Sequence, residues 1–475
     1  MGLLRQSGMY LFGRIVPAAI GVGAVAIYTR MLDPASIGTY ALLLSTSLLA
    51  SAIGFTWLRV AALRVAAGKS GEFDPNFSAT IGLAFAATSA VVAAIEGVAL
   101  HVYEPQIAPR LLLLAVAAAI AASWYDLNGS LLQARIQVGA WGLLNLIRAL
   151  VAVACSVLLI RAGFKAEALL GGFVLGNAAT LIFIRLWRPA VRGRFDAALF
   201  WRCFHFGWPQ SINAAQGIVA TVFQRWMLQL SAGSAAVGIF AVAQDFSNQT
   251  IAILVGSISL AGIPLAFKAQ EDGDSAALAL QLRSNARLIF GIALPATVGF
   301  VVLAGPISHV FFGPQFWNGA ALILTLVGLS ALVINVRIYY FDQAFMLAMQ
   351  TRPQAIISIF GTIAAIVATV VLVPRFAAVG AAVAALVANV VCLAVSIVWG
   401  MRVLRMPIPV DDWLRTAAAT AGMALVLAFI PKERTSLELA LALCGGAVVY
   451  VVLSSATRFA SVRAHVGGRF ARFAR

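Results

Sequence analysis

The sequence predicts an all-α polytopic membrane protein with about 14 transmembrane helices. Of its 475 residues, 62% are hydrophobic and 11% are charged, whereas soluble domains are about 45–50% apolar and about 25% charged. Lipid admits only helices and closed barrels, and the apolar stretches here are about 20 residues long without the alternation of barrel strands. Because segments of the chain also repeat in order, we expect two six-helix pseudo-symmetric lobes around a central cavity plus two extra C-terminal helices.

The predicted spans follow one another at short intervals along the chain. Two polar segments, 61–77 and 267–283, occupy equivalent places in the two halves. Predicted spans 8 and 10 are longer than a bilayer requires, which indicates tilt or extension into the cytoplasm. The spans are 10–29, 37–60, 78–102, 107–130, 142–161, 168–187, 208–230, 236–266, 284–312, 318–349, 355–373, 378–400, 414–430 and 437–456.

Four domains follow from this arrangement of spans. Residues 1–190 form the predicted N-lobe with spans 1–6, and residues 191–202 form a basic cytoplasmic linker. Residues 203–400 form the predicted C-lobe with spans 7–12. Residues 401–475 carry spans 13 and 14 and a basic cytoplasmic tail, for which an amphipathic helix on anionic lipid is one interpretation.

The two halves share short motifs in the same order. Gly38 and Tyr40 have Gly238 and Phe240 as counterparts at an offset of 200. Ordered repeats of this length are typical of transporters built from two related halves. Further echoes, at offsets of 212 to 217, pair Gln133-Ala134-Arg135-Ile136-Gln137 with Gln350-Thr351-Arg352-Pro353-Gln354, Tyr125-Asp126 with Phe341-Asp342, and Phe164, Ala166, Asn177 and Trp187 with Phe376, Ala378, Asn389 and Trp399.

The distribution of Lys and Arg residues along the chain, whose net charge is +16, predicts its orientation. With both termini on one side of the membrane, that side collects 22 Lys and Arg residues and the other side collects 7. The positive-inside rule then places both termini in the cytoplasm. Since the basic residues lie in loops and tails, orientation and anionic membrane lipids account for them, and we expect no nucleic-acid partner.

Several classes of function are excluded by missing motifs. The four cysteines are scattered without a C-x-x-C pair, which argues against disulfides and against a zinc site. The sequence has neither G-x-x-x-x-G-K-[ST] nor H-E-x-x-H, so we expect no ATP hydrolysis, no metal and no cofactor. The loops predicted outside the cytoplasm are too short for a catalytic domain. We therefore expect a protein that is not an enzyme.

Eight of the charged residues inside the predicted spans, four of each sign, are candidates for a role, because a charge costs about 2.5–3.5 kcal/mol at the bilayer centre. One interpretation is internal ion pairing, because the positive and negative charges balance. Snorkelling accounts for those that lie near span ends, namely Arg14, Arg225, Glu96 and Asp126. The deeper ones are the stronger candidates for contact with a substrate or a coupling ion, namely Arg148, Asp245, Arg337 and Asp342.

Polar residues form stripes on several predicted helices. At about 100° per residue, one stripe on span 1 and one on span 7 occupy corresponding positions of the two halves. Such stripes face protein or water and predict a hydrated cavity, with hydrogen bonding between helices as the alternative. The stripes comprise Ser7, Tyr10, Arg14, Pro17, Gly21 and Tyr28 on span 1, Gln210, Asn213, Gly217, Thr221 and Gln224 on span 7, Gln244, Asp245, Asn248 and Gln249 on span 8, and Asn335, Tyr339 and Asp342 on span 10.

The turn motifs resemble those of a known family. They are Thr29-Arg30-Met31-Leu32-Asp33-Pro34 with Gly38-Thr39-Tyr40, Val237-Gly238-Ile239-Phe240-Ala241-Val242-Ala243, Ile263-Pro264, and Val373-Pro374 with Val379-Gly380-Ala381-Ala382. They resemble the bacterial polysaccharide biosynthesis transporters, which are O-antigen and exopolysaccharide lipid-linked-oligosaccharide flippases of the superfamily that also holds multidrug extrusion proteins. The resemblance implies a cationic cavity and translocation of a polyprenyl-pyrophosphate-linked oligosaccharide from the cytoplasmic to the periplasmic leaflet of the bacterial inner membrane.

The implied substrate assigns roles to the polar residues in the spans. Arginine forms forked hydrogen bonds to phosphate oxygens, so the candidates for the pyrophosphate are Arg14, Arg148, Arg225 and Arg337. The candidates for the sugars are Tyr28, Gln210, Asn213, Gln224, Asn335 and Tyr339. Asp245 and Asp342 are the candidates for carrying a coupling proton or Na⁺. Membrane lipids and a polysaccharide polymerase are the expected partners, and a monomer is the expected oligomeric state.

Three alternatives stay open at this point. An ion-coupled multidrug or cation antiporter of the same superfamily predicts an acidic cavity, whereas the deep charges here are balanced or basic. A peptidoglycan-precursor flippase agrees with the count of fourteen spans, although the turn motifs resemble that family less. A membrane glycan polymerase or ligase requires a large periplasmic loop that the predicted topology lacks.

Overall fold

The computed structural model of the chain is helical throughout its described part. It describes residues 3–66, 74–103, 107–135, 137–182, 193–350, 352–429 and 435–473; within these, side chains are described except at 3–15, 103, 138, 252–261, 264 and 457–473. No strand occurs in any of these ranges. The prediction of an all-α polytopic protein with about 14 helices is confirmed.

The first half of the chain forms six helices in sequence. Three of them begin with proline, which lacks the N–H that a first helical turn leaves unbonded. The helices are α1 (Leu3–Met31), α2 (Pro34–Ala66), α3 (Pro75–Tyr103), α4 (Pro109–Ala134), α5 (Val138–Arg161) and α6 (Ala166–Ala178).

The second half contains two helices that are much longer than one span. Predicted spans 7 and 8 are one kinked helix with its break at Gly233, and spans 11 and 12 are one helix broken at Ala377. Span 9 is divided into α8 and α9, and a π-turn at Arg337–Phe341 separates α10 from α11 within span 10. The helices are α7 (Ala197–Glu271), α8 (Ser275–Val302), α9 (Ala304–Phe311), α10 (Trp317–Val336), α11 (Gln343–Leu347), α12 (Arg352–Val403), α13 (Val410–Phe429) and α14 (Ser436–Phe473).

Nine helices within the described ranges are long and apolar enough to cross a membrane. Since α7 and α12 each contain two predicted spans, these nine helices account for eleven of the fourteen. Two shorter apolar helices, Val16–Met31 and Ala166–Ile182, correspond to spans 1 and 6. The remaining span corresponds to α13, whose first turns carry Asp411, Asp412 and Arg415.

The chain divides into two compact units. The first comprises Met1–Ala241 with Thr369–Ala378, and the second comprises Val242–Ala368 with Val379–Arg475. The aromatic core of the first unit centres on Phe55, Trp57 and Phe85. The core of the second unit centres on Tyr340 and Phe341, at the π-turn. The predicted linker at 191–202 is described only from residue 193 onward.

Candidate functional site

In the first unit, α2 runs antiparallel to the first half of α7. The backbone N–H of Trp57 donates to Ser211 Oγ at 2.9 Å, and Trp226 Nε1 donates to Thr46 Oγ1 at 3.1 Å. Trp57 follows Thr46 in α2, whereas its partner Ser211 precedes Trp226 in α7, so the two helices run in opposite directions. This pairing places the polar residues of predicted span 7 on a helix that α2 holds along its length.

The two repeated glycines lie where these helices approach most closely. A Cβ at Gly38 would overlap the carbonyl oxygen of Ser234, and a Cβ at Gly238 would overlap that of Pro34. The contact is reciprocal, because Pro34 and Ser234 are themselves related by the offset of 200. The repeat seen in the sequence is thus a physical two-fold contact between backbones that only glycine permits.

The chain is interrupted before α2 and again within α7, and different residues form the two breaks. At the α1–α2 turn, Asp33 caps α2: its Oδ2 accepts the Ser36 N–H at 3.1 Å and its Oδ1 accepts the Ser36 hydroxyl at 2.7 Å. These hydrogen bonds from Ser36 lower the pKa of Asp33, and the charge of Lys165 acts in the same direction. At the equivalent break within α7, Gly233 instead adopts a φ of +79°.

Arg225 is buried at the contact between α2 and α7. Its side chain is 5% exposed, and its Nη1 donates to the carbonyl oxygen of Ala41 at 3.0 Å. The snorkelling interpretation of Arg225 is therefore wrong, because its head group bonds to a neighbouring helix. Arg225 joins α2 to α7 in this structure, and its predicted role with pyrophosphate stays a prediction.

Arg148 on α5 lies over the ring of Tyr125 on α4. The guanidinium carbon is 4.6 Å from the ring centroid, and the Tyr125 hydroxyl donates to Asn145 Oδ1 at 2.6 Å. A guanidinium over an aromatic face contributes about 0.5–2 kcal/mol, with the larger value where water is excluded. Among the described residues, Arg148 has no carboxylate within salt-bridge distance, and its Nε has no hydrogen-bond acceptor.

Asp126 follows Tyr125 on α4 and remains accessible from the surface. Arg59 on α2 and Arg148 are the cations close enough to attract its carboxylate. Arg59 and Asn145 were not among the residues predicted from the sequence, although the Tyr125-Asp126 pair is one of the repeated motifs. Two arginines, one carboxylate and one tyrosine therefore meet within the first unit.

Glu96 on α3 is 3% exposed, so the snorkelling interpretation is wrong for this residue as well. Neither carboxylate oxygen has a hydrogen-bond partner in the described part of the chain. Ser47 lies close by, but its hydroxyl is 2.9 Å from the carbonyl oxygens of both Leu43 and Ala115. A carboxylate charge is costly in such a position.

In the second unit, Arg337 and Asp342 form an ion pair across the π-turn. Arg337 Nε lies 3.4 Å from Asp342 Oδ2, and both side chains are almost completely buried. The hydroxyl of Ser396 on α12 donates to Asp342 Oδ1 at 2.5 Å. The two residues predicted for separate roles, one for pyrophosphate and one for the coupling ion, are therefore direct partners.

The predicted sugar-binding residues of the second unit lie on either side of this ion pair in sequence. Asn335 is buried, and its Nδ2 donates to the Ala331 carbonyl of its own helix at 2.6 Å. Tyr339 lines a small cavity together with Asn285 and Gln343. Asp245, the second candidate for coupling, is exposed on α7.

The predicted residues on the first unit differ in accessibility. Gln210 and Asn213 are exposed on α7, whereas Gln224 is buried one helical turn before Leu228. Tyr28 is half-buried on α1 within hydrogen-bonding reach of Ser156 on α5. The side chain of Arg14 lies outside the described residues.

This helical membrane fold is shared with flippase-type and multidrug transporters of known structure. Lipid II flippase MurJ in its inward closed conformation is similar, with a TM-score of 0.79, 14% identity, and coverage of 96% of this chain and 99% of that chain. An inward-facing multidrug resistance MATE transporter of the MOP superfamily is similar with a TM-score of 0.57 and 14% identity, and the match covers 85% of this chain and 95% of that chain. A MOP superfamily transporter from Pyrococcus furiosus is similar with a TM-score of 0.55 and 15% identity, and the match covers 84% of this chain and 95% of that chain. That transporter is described as having a binding pocket of reverse polarity.

The chain belongs to the polysaccharide biosynthesis protein family, whose sequence profile matches residues 27–322. The match covers the contact between α2 and α7, the Arg148 cluster and Arg225. It ends before the Arg337–Asp342 pair and before α13 and α14. No curated protein matches the sequence, and at 14–15% identity the solved structures show a shared fold.

Proposed function

We propose that this protein is a secondary transporter that moves a polyprenyl-pyrophosphate-linked oligosaccharide between membrane leaflets by alternating access. The direction is from the cytoplasmic to the periplasmic leaflet of a bacterial inner membrane, for the synthesis of a surface polysaccharide. Both termini are cytoplasmic in this proposal, because the Lys and Arg residues concentrate on that side. A monomer that delivers its product to a polysaccharide polymerase completes the proposal.

The observation that carries this proposal is the state of Arg148. Its guanidinium lies in an apolar helix over the Tyr125 ring, and the described part of the chain gives it no carboxylate at salt-bridge distance. Charges within membrane spans are normally neutralised by a partner. A pyrophosphate group would supply that partner, because its oxygens accept the forked N–H groups of arginine. The family to which the chain belongs, polysaccharide biosynthesis, supports a substrate that takes part in polysaccharide synthesis.

The other predicted residues take roles around this cation. Arg14, Arg225 and Arg337 are further candidates for phosphate oxygens. Gln210 and Asn213, which are exposed on α7, offer amides to sugar hydroxyls, as do Gln224 and Asn335 after rearrangement. Tyr28 and Tyr339 stack on sugar faces. Asp245 and Asp342 carry the coupling ion. For Asp342, uptake of a proton would release Arg337 from its ion pair and free that guanidinium for the substrate.

The test is transport in proteoliposomes that contain the purified protein. We expect a fluorescent polyprenyl-pyrophosphate-sugar to cross, and a cationic dye to remain inside. Arg148→Gln should lower the rate at least about tenfold, because a charge-assisted hydrogen bond contributes about 1.5–3 kcal/mol. The matched control is Arg161→Gln, at the exposed C-terminal end of the same helix α5. Equal rates for the Arg148 variant and the wild type would refute the role of Arg148.

A peptidoglycan-precursor flippase is the second candidate, favoured by the similarity to lipid II flippase MurJ over almost the whole of both chains. The same proteoliposomes distinguish the two, because unlabelled peptidoglycan precursor and unlabelled oligosaccharide carrier are offered as competitors. Stronger competition by the precursor would replace the proposed substrate. Efflux of the dye without movement of either lipid would indicate a drug antiporter instead of a flippase.

A further inference from the structure

Helices α8, α13 and α14 enclose a groove in the second unit that the transport proposal does not use. Its volume is about 200 Å³, which is below the roughly 300–1,000 Å³ of sites that enclose a whole drug-sized ligand. Its apolar wall includes Leu288 and Ile292, and its polar lining consists of Arg287, Asp412, Arg415, Thr416, Tyr450 and Ser454. Two of the three helices are the pair that follows the repeated halves.

The walls of this groove are fixed to one another by three contacts. Tyr450 of α14 donates its hydroxyl to the Gly291 carbonyl of α8 at 2.6 Å. Trp413 of α13 stacks on Phe290 of α8, with ring centroids 4.5 Å apart and an interplanar angle of 18°. An ion pair between α8 and α13 completes the set. The groove is therefore formed by the packing itself rather than by surface side chains alone.

The groove carries an excess of positive charge. Arg287 donates both Nε and Nη2 to Asp412 Oδ2, at 3.0 and 2.7 Å, so this cation is neutralised. Arg415 has no ion pair or hydrogen bond with any described residue, and it lies one helical turn from Asp412. The groove thus has one cation without a counter-charge, beside the hydroxyls of Thr416 and Ser454.

The sequence places this charge at the edge of the apolar layer. Arg287 is followed by 49 residues without Asp, Glu, Lys or Arg, and Arg415 is followed by 16 such residues. On α14, the 19 residues before Arg458 are likewise free of these charges. Each of the three helices therefore passes from a cation into an uncharged stretch at the level of the groove. This is the depth at which lipid phosphates lie.

We propose that this groove binds the phosphate of an anionic glycerophospholipid, with Arg415 as its counter-charge. The guanidinium donates two N–H groups to the phosphate oxygens. The hydroxyls of Thr416 and Ser454 donate to the carbonyl oxygens of Asp412 and Val451, so they accept hydrogen bonds from headgroup hydroxyls. The acyl chains lie along Leu288 and Ile292. The net positive charge of the lining complements an anionic lipid and gives a zwitterionic lipid a weaker site. The inference does not depend on which molecule the protein transports.

The experiment is native mass spectrometry of the purified full-length protein titrated with phosphatidylglycerol, phosphatidylcholine, undecaprenyl phosphate or inorganic phosphate. We expect one site with a clear preference for phosphatidylglycerol. Arg415→Gln should weaken that binding about tenfold, which corresponds to about 1.4 kcal/mol. Arg415→Lys, which keeps the charge and loses the fork, should fall between the two and serves as the reporter if the glutamine variant does not fold.

The matched control is Arg283→Gln, an exposed arginine one turn earlier on α8 that does not line the groove. It should bind phosphatidylglycerol as the wild type does. An equal loss in this control would show that total charge rather than the groove attracts the lipid, and would overturn the proposal. Preferential binding of undecaprenyl phosphate or of inorganic phosphate, or equal binding of phosphatidylcholine, would also overturn it.

Discussion

Two arginines inside the membrane, Arg148 in the first unit and Arg337 in the second, are accommodated in opposite ways. Arg337 is held by the carboxylate of Asp342, which a hydroxyl from α12 also bonds. Arg148 lies on an aromatic ring without a carboxylate at salt-bridge distance in the described structure. A neutralised cation is committed to the protein, whereas a cation held by a ring retains its charge for an anionic ligand. In the state that the structure shows, Arg337 is paired within the protein and Arg148 is open to an anionic ligand; the role of Arg337 with phosphate stays a prediction.

The largest expected effect comes from breaking the neutralised pair. Asp342→Ala should lower the free energy of unfolding by about 3–5 kcal/mol, because it leaves the charge of Arg337 buried without compensation. Thermal unfolding in detergent measures this loss. The double variant Asp342→Leu with Arg337→Met should recover most of the stability. A double variant as unstable as Asp342→Ala would contradict the pairing as the cause.

The next test removes the ring from the other arginine. Tyr125→Leu should lower the stability by about 1–3 kcal/mol, since it loses both the contact with Arg148 and the packing of the ring. Tyr125→Phe keeps the ring and loses only the hydrogen bond to Asn145, so it should cost about 1 kcal/mol. Unfolding midpoints of the two variants measure the difference. Equal losses would mean that the hydroxyl, rather than the ring, holds this region.

A smaller effect separates the two arginines by function. Arg148→Met should lower the free energy of unfolding by about 1 kcal/mol, because it loses the contact with the Tyr125 ring, while Asp126 keeps Arg59 as a neighbouring cation. Arg337→Met should cost several times more, since it leaves Asp342 buried and alone. Chemical denaturation of both variants in the same detergent gives the comparison. A larger loss for Arg148→Met would place this residue among the structural arginines.

The last test concerns the hydroxyl that supports the ion pair. Ser396→Ala should lower the stability by about 1–2 kcal/mol, because one charge-assisted hydrogen bond to Asp342 is lost. Ser358→Ala, on the same helix but bonded only to the backbone of Gln354, serves as the control and should cost less. Thermal shifts of the two variants are compared directly. No difference between them would remove Ser396 from the support of Asp342.

The extent to which the sequence predicted these features varied with the interaction involved. Apolar length alone predicted the helices, because the bilayer imposes it. The pairing of Arg337 with Asp342 was not predictable, since residues five apart on an α-helix point about 140° away from each other. The π-turn at Arg337–Phe341 changes that angle, and no motif in its local sequence predicts the π-turn.

Burial was the second quantity that the sequence did not reveal. Glu96 and Arg225 lie near the ends of predicted spans, so snorkelling was a reasonable interpretation for both. The structure buries them because α2 and α7 pack over Arg225 and because α3 turns Glu96 inward. In both cases, packing against helices that are distant in sequence buries the side chain. The roles of these residues with a substrate stay predictions.

The reciprocal contact between Gly38 and Gly238 carries a consequence for the origin of the chain. The same glycine from each half meets the backbone of the other half at equivalent residues, Pro34 and Ser234. Two separate copies of a half-length ancestor would have met through this contact as an isologous dimer, with one glycine serving both sides. Fusion of the two genes would have turned a subunit interface into the interior of one chain, where each glycine must now be preserved on its own.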